Sequence, residues 1–159
     1  EIWKFISPAL YEKEKKYAAS FIIVSSILFF IGVLFGYYLI APLSVQFFAS
    51  YIVSPEISNS IDIDSYMSLM KTSAIASGLL FELPIIIFFL TKIGLVTPEF
   101  LRKYRKYTLV IVLIVAAVIT PPDVLSQIIV TIPIMILYEA SILISVLVLK
   151  SQEREKLKA

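Results

Sequence analysis

Two glutamates stand inside apolar stretches of this sequence, Glu82 in GLLFELPIII and Glu139 in IPIMILYEA. A carboxylate at the middle of a bilayer costs from about 2.5 to more than about 10 kcal/mol, so each acid is expected to face protein or water, or to be protonated. We favour a functional interpretation of Glu82, because ionisable groups within membranes mark pathways and partner sites. The alternative is a protonated acid that hydrogen-bonds a neighbouring helix beside a kink at Pro84. For Glu139 the structural and functional interpretations stay open.

Composition excludes several other kinds of chemistry. The chain has no cysteine and no histidine, which removes thiol nucleophiles, disulfides and most zinc sites. The serines of the apolar stretches have no suitably placed general base, and no phosphate-binding glycine loop occurs. A net charge of +2 is too small to indicate a nucleic-acid partner. We therefore predict no enzyme activity, no cofactor or metal, and no nucleic-acid binding.

The elements that position these acids are predicted to be membrane-spanning helices. Of the 159 residues, 59% are hydrophobic and 16% are charged, and the mean hydropathy is +0.92, whereas soluble domains are about 45–50% apolar. Several apolar runs approach the roughly 20 residues that a helix needs to cross a bilayer. The sequence therefore predicts an all-α polytopic membrane protein with four transmembrane helices, of which the last two are short.

Lysine and arginine alternate between the loops and so predict a topology. They occur before the first span, between the second and third spans, and after the fourth, and they are absent from the other two loops. Because positively charged loops stay in the cytoplasm, both ends of the chain are predicted to be cytoplasmic. The predicted segments are a cytoplasmic loop at 1–16, a transmembrane helix at 17–41, a periplasmic loop at 42–65, a transmembrane helix at 66–91, a cytoplasmic loop at 92–106, a short transmembrane helix at 107–119, a periplasmic turn at 120–126, a transmembrane helix at 127–149 and a cytoplasmic tail at 150–159.

The third predicted span, 107–119, is too short for a comfortable crossing. Its 13 residues give ~20 Å of helix before the stop at Pro121-Pro122, against a hydrocarbon core of ~30 Å. We expect either a bilayer that thins beside this span or a Pro-Pro end that other helices shelter.

Small residues predict how the first two spans associate. Gly32 and Gly36 form a G-x-x-x-G pattern in the first span, and Ala74 with Gly78 repeats the spacing in the second. Small residues one turn apart let two backbones approach closely in lipid. We interpret the pattern as packing within the chain rather than as a dimerisation site.

Five stretches carry a resemblance to a known family. FISPALYEKEKK, FELP, RKYRKY, TPPDVLSQ and IPIMILYE occur in this order, and together they resemble the twin-arginine translocase receptor family, TatC, over essentially the whole chain. TPPDxxSQ after a short span is the most specific of them. That family typically has six spans, so the resemblance implies that this chain is a fragment holding the last four spans and the cytoplasmic loop before them.

The resemblance assigns expected roles to particular residues. Glu14 matches a loop glutamate that binds the twin-arginine motif of signal peptides, and Phe5 matches an aromatic residue beside it. Glu82 matches an intramembrane glutamate that faces a concave pocket. Asp123 and Gln127 match polar residues associated with small single-span partner subunits of the TatA/TatB type. Glu139 aligns with a family acid to which we assign no role.

The resemblance also implies a function. The expected protein is a receptor core in the bacterial cytoplasmic membrane that binds twin-arginine signal peptides and recruits partner subunits, within an oligomeric complex, for proton-gradient-driven export of folded proteins. The alternative is a proton-coupled secondary transporter of a small solute that uses Glu82 and Glu139. Transporters of that kind usually show internal repeats, and none is evident in this sequence.

Overall fold

The described part of the chain consists of helices joined by short turns. The computed structural model describes residues 15–50, 62–121 and 123–157, and in these residues it forms helices without any β-strand, which confirms the all-α prediction. A π-helical turn, Gly36–Ile40, joins the first two helices. The α-helices are α1 (Lys15–Phe35), α2 (Ala41–Ser50), α3 (Ile63–Phe81), α4 (Leu83–Lys92), α5 (Pro98–Lys103), α6 (Arg105–Ile119) and α7 (Val124–Lys156).

Three helical segments of the described chain are long and apolar enough to cross a membrane: Ile22–Ser50, Ile63–Lys92 and Val124–Arg154. The predicted third span corresponds to α6, which has 15 residues, or about 22 Å, and is short as expected. The count of four spans and the span boundaries stay predictions.

The prediction that the last span is also short is wrong. Helix α7 has 33 residues and continues through Pro133. Proline removes one backbone donor from a helix, but Val130 and Ile134 on either side of it are almost fully buried. Packing of these neighbours holds the helix together across the proline.

The sequence predicts that the first span ends at Ala41, just before Pro42. In the structure the helix instead continues past Pro42 to Ser50. Proline has no N–H, and in a regular helix its ring crowds the carbonyl four residues earlier. Here the backbone N–H of Ala41 donates to the Gly36 carbonyl, five residues back. This wider π turn comes directly before the proline and gives its ring room.

Helices α1 and α3 pack side by side through the small residues. The Ser77 hydroxyl donates to the Gly32 carbonyl oxygen. A Cβ atom added at Gly32 would lie 2.7 Å from the Ser77 carbonyl oxygen and 2.8 Å from the Gly78 Cα, and one added at Gly36 would lie 2.7 Å from the Ala74 Cα. Only glycine permits this approach, so the prediction of small-residue packing within the chain is confirmed.

The second half of the molecule is arranged around α7. Helix α4 runs parallel to α7: Thr91 Oγ1 lies 2.9 Å from Ser145 Oγ, and further along, Gln152 Nε2 donates to the Lys92 carbonyl at 2.9 Å. Helix α6 runs antiparallel to α7 and forms a hairpin with it. The buried core between these helices contains Ile40, Val112, Ala116, Val130 and Ile134, and a second cluster contains Ile87, Leu101, Tyr138 and Ile142.

Candidate functional site

Glu82 stands at a break between two helices. Helix α3 ends at Phe81 and α4 begins at Leu83. Pro84 has no N–H to donate to the Leu80 carbonyl, and the Glu82 N–H contacts that carbonyl instead. The Glu82 carbonyl accepts from the N–H groups of Ile85 and Ile86, at 3.0 Å each. The sequence FELP therefore interrupts the long helix at the acid itself, which agrees with the predicted kink.

The Glu82 carboxylate is held by a hydroxyl group from α1. Ser25 Oγ lies 2.8 Å from both Oε1 and Oε2 of Glu82. The side chain is half-buried and turned toward the α1–α3 helix pair. The hydroxyl is neutral, so it supplies a hydrogen bond that reduces the cost of burying this polar group but does not neutralise a charge. The arrangement agrees with the expectation that Glu82 faces protein.

Glu139 has a different partner at a different place. Its Oε2 atom accepts from Arg105 Nη2 at 2.7 Å, and both side chains are about half exposed. Arg105 is the first residue of α6, so this ion pair fastens the start of α6 to α7. In the described part of the chain no hydrogen bond or ion pair joins Glu139 to Glu82. The geometry favours the structural interpretation of Glu139.

Asp123 and Gln127 lie at the opposite end of the α6–α7 hairpin. Asp123 Oδ2 accepts from both the backbone N–H and the hydroxyl of Ser126, at 2.9 Å each, and so caps the start of α7. The Ser126 backbone N–H, followed by its hydroxyl, lowers the pKa of the Asp123 carboxyl below its ordinary value. Gln127 Nε2 donates to the Leu113 carbonyl of α6 at 2.8 Å. Gln127 therefore links the two helices of the hairpin, and Asp123 caps the start of α7.

Comparison with known proteins decides the family. The model of the family described as Sec-independent protein translocase protein (TatC) matches residues 1–133. The chain belongs to the TatC family. The resemblance predicted from the five sequence stretches is thus confirmed, and a translocase component family agrees with the prediction that the chain is not an enzyme.

Individual TatC relatives match most of this chain but exceed it in length. It is 46% identical over 145 residues to the Sec-independent protein translocase protein TatCy of Bacillus subtilis (strain 168), covering 91% of this chain and 57% of that protein. It is 36% identical over 158 residues to TatC of Aquifex aeolicus (strain VF5), covering 96% of this chain and 64% of that protein. The crystal structure of the twin-arginine translocase receptor TatC in DDM is similar at a TM-score of 0.72 and 36% identity, over 91% of this chain and 64% of that chain. The chain therefore spans less than two thirds of these relatives.

Two TatC site residues predicted from the sequence, Phe5 and Glu14, lie outside the described residues. The structure thus describes the membrane part of the predicted site, with Glu82, Asp123, Gln127 and Glu139. It does not bring these four together. Glu82 belongs to the α1–α3 contact, and the other three belong to the two ends of the α6–α7 hairpin.

Sequence reasoning missed Ser25 as the partner of Glu82 in this TatC chain. The signal was present in the small-residue pattern. Gly32 lies opposite Ser77 in an antiparallel pair, so Ser25, seven residues before Gly32, falls opposite a position about seven residues after Ser77. Glu82 is within about half a turn of that position. Given that Gly32 of α1 lies opposite Ser77 of α3, the helical register places Ser25 beside Glu82.

Proposed function

We propose that the chain forms the membrane core of a receptor for twin-arginine signal peptides. In this proposal it binds the peptides of folded cargo proteins and recruits small single-span subunits of the TatA/TatB type, within an oligomeric complex of the bacterial cytoplasmic membrane. Export is driven by the proton gradient. Membership in the TatC family supports this function.

The observation that carries the proposal is the position of Glu82. Its carboxylate is half-buried at a helix break and receives one hydroxyl, from Ser25. A carboxylate accepts up to about four hydrogen bonds, so the Ser25 hydroxyl leaves capacity for another donor. We propose that this donor is a polar group on the membrane helix of a partner subunit.

The other polar residues have separate roles in the proposal. One N–H of the Gln127 amide is bonded to the Leu113 carbonyl, so the amide oxygen and the second N–H are the groups that a partner helix would contact. Asp123 caps α7 and shapes the same end of the hairpin. Glu139 is paired with Arg105, and we assign it to fastening α6 against α7 rather than to partner contact.

The proposed orientation places the ends of α4 and α7 in the cytoplasm. Lys92 ends α4 beside Gln152 of α7, and Arg154 follows on the same helix. At the other end of the molecule, Asp62 precedes α3 and Asp123 precedes α7. Because Lys and Arg mark cytoplasmic ends, Lys92 and Arg154 support a cytoplasmic location for the ends of α4 and α7.

The signal-peptide site is proposed to use Glu14 and Phe5. Arginine prefers forked contact with a carboxylate, which lysine cannot reproduce. A photocrosslinker at position 13 of the full-length protein is expected to capture a twin-arginine peptide. Capture should be lost with Glu14→Ala and with a Lys-Lys peptide, and it should persist with Glu12→Ala, the neighbouring acid. Capture that survives both changes would contradict the assignment.

The role of Glu82 is tested by export of a folded twin-arginine substrate in cells. Glu82→Gln keeps the shape of the side chain and an oxygen for Ser25, but removes one carboxylate acceptor and the capacity for charge. The proposal expects export to fall at least about tenfold, the loss that follows from about 1.4 kcal/mol. Glu99→Gln, at an exposed acid of α5, is the matched control. If cells with Glu82→Gln exported the substrate normally, the proposal would be contradicted and Glu82 would have only a packing role.

The alternative function, a proton-coupled solute transporter, is not supported. It requires Glu82 and Glu139 to act as a relay, but Glu82 is bonded to Ser25 and Glu139 is paired with Arg105. The family match gives no support to a solute transporter either.

A further inference from the structure

Four cations form a compact surface where α5 meets α6. We call Arg102, Lys103, Arg105 and Lys106 the basic corner, and all four are exposed. Arg105 is paired with Glu139, and Glu99 is the other acid of this segment. Arg102 and Lys106 have no hydrogen-bond or ion-pair partner within the residues that the structure describes. The corner therefore carries unpaired positive charge.

Two contacts fix the basic corner at the middle of α7. The Tyr138 hydroxyl donates to the Leu101 carbonyl at 2.8 Å, and Arg105 contacts the next residue, Glu139, at 2.7 Å. The end of α4, in contrast, is fixed at Ser145, whose Oγ lies 2.9 Å from Thr91 Oγ1. Ser145 is six residues after Glu139, or about 9 Å along the helix. The corner is thus recessed along α7 relative to the end of α4.

Apolar side chains that face outward border this recess on both sides. Leu143 and Leu147 of α7 follow Glu139 by one and two turns and are 64% and 66% exposed. On α6, Val110 and Ile114 begin one turn after Lys106 and are 54% and 60% exposed. Cations between such surfaces are costly unless water or an anion reaches them.

Aromatic rings accompany the cations. The Phe100 and Tyr104 ring centroids are 4.5 Å apart, and those of Tyr104 and Tyr107 are 5.7 Å apart. Lys103 Nζ lies 5.9 Å from the centre of the Tyr104 ring. Tyrosines are enriched at the level of lipid headgroups, so this row places the basic corner at an interface between lipid headgroups and acyl chains.

We propose that the basic corner binds the headgroup of an anionic phospholipid. Its phosphate contacts Arg102 and Lys106, and its acyl chains lie along the exposed apolar face of α6. Arginine matches phosphate oxygens in a forked geometry, and clusters of Lys and Arg beside a membrane helix attract anionic lipids. An acidic protein segment would satisfy the charges alone, whereas a phospholipid also covers Val110 and Ile114.

The test compares lipid selectivity in variants of the full-length protein. The protein is reconstituted in phosphatidylcholine vesicles that contain trace spin-labelled phosphatidylglycerol or spin-labelled phosphatidylcholine, and electron paramagnetic resonance measures how much of each label it immobilises. Arg102→Gln with Lys106→Gln is the test variant. Lys150→Gln with Arg154→Gln is the control, because it removes the same charge from exposed positions near the end of α7.

The wild type is expected to immobilise phosphatidylglycerol in preference to phosphatidylcholine. Each cation near an anionic lipid contributes roughly a fivefold preference for that lipid. The preference for phosphatidylglycerol should therefore fall by up to about 30-fold at the basic corner of the test variant, and it should be unchanged in the control. Arg102→Lys with Lys106→Arg preserves charge and should retain most of it. Unchanged selectivity in the test variant, or an equal loss in the control, would overturn the proposal and leave an acidic protein segment as the candidate occupant.

Discussion

The Glu82 carboxylate depends on one hydroxyl group for its placement in this structure. Ser25 Oγ is 2.8 Å from both carboxylate oxygens, and the two residues come from different helices. Because the Glu82 backbone belongs to neither α3 nor α4, its side chain relies on this contact more than a residue inside a regular helix would. Ser25 is therefore a positioning residue for the proposed partner site.

Ser25→Ala is expected to release the Glu82 side chain. A hydrogen bond to a charged group contributes about 1.5–3 kcal/mol when buried, and for this half-buried pair we expect the free energy of unfolding to fall by about 1 kcal/mol. Infrared difference spectra against Glu82→Gln should show the carboxyl stretch of Glu82 shifted in the variant. Ser25→Thr, which keeps the hydroxyl, should restore it, and Ser26→Ala, at the exposed neighbour, should not move it. An unshifted band in Ser25→Ala would contradict the positioning role.

Asp123 gives a pH dependence of stability at the other end of the molecule. The Ser126 N–H and hydroxyl lower the pKa of Asp123 in the folded state relative to its ordinary value of 3.8. A group with a lowered folded pKa stabilises the fold above the unfolded pKa, and this stabilisation is lost as the pH falls through the folded value. Asp123→Asn keeps a capping oxygen without titrating.

Thermal unfolding in detergent is expected to show the wild type more stable than Asp123→Asn at pH 7. The difference should hold down to about pH 5 and shrink below pH 4, as the Asp123 carboxyl becomes protonated. Glu153→Gln, at an exposed acid of α7, should leave the pH profile of the wild type unchanged. If the difference in thermal stability between wild type and Asp123→Asn stayed constant down to pH 2, the carboxylate charge would not contribute to the cap.

At the scale of helices, the α1–α3 contact sets the register that brings Ser25 to Glu82. Gly32 lies within that contact, and a Cβ atom added there would be 2.7 Å from the Ser77 carbonyl oxygen. Gly32→Ala is expected to force the two helices apart and to destabilise the protein by about 1–3 kcal/mol, as overpacking does. It should also shift the Glu82 infrared band, because the Ser25 hydroxyl moves with α1. Ala117→Val, at an exposed position of α6, is the control that adds bulk without a contact; equal stability of both variants would argue against a close helix contact.

The sequence predicts the elements of this fold better than their ends. The apolar runs, the glycine spacing, the FELP kink and the short α6 all follow from local chemistry, because proline, glycine and hydrophobic length act within a few residues. The extension of the first helix beyond Pro42 and the length of α7 do not, since a π turn and tertiary packing around Pro133 override the local signal. The Arg105–Glu139 pair was missed because it depends on how far α6 lies along α7.

At the scale of the whole molecule, helices of unequal length share one membrane. Ile63–Lys92 and Val124–Arg154 contain 30 and 31 residues, whereas α6 contains 15. Arg105 and Thr91 lie toward the same end of the molecule, yet their contacts with α7 are at Glu139 and Ser145, which are about 9 Å apart along the helix. A bilayer of uniform thickness cannot match both levels. Either the bilayer thins beside α6, or the start of α6 remains within the hydrocarbon region.

Thinning is the outcome we expect, because Arg102 and Lys106 are unpaired cations where α5 meets α6 and draw water and headgroups toward them. Nitroxide labels at positions 106 and 124, the two ends of the hairpin, should both show the nickel accessibility of the headgroup region while lying only about 22 Å apart. Labels at Ile63 and Ile93, which are exposed near the ends of α3 and α4, provide the reference for a full-length crossing. The contrary result is a label at position 106 that is as accessible to oxygen as the acyl region is. That result would show that the bilayer keeps its thickness beside α6. The cations of the basic corner would then need neutralisation by protein rather than by lipid.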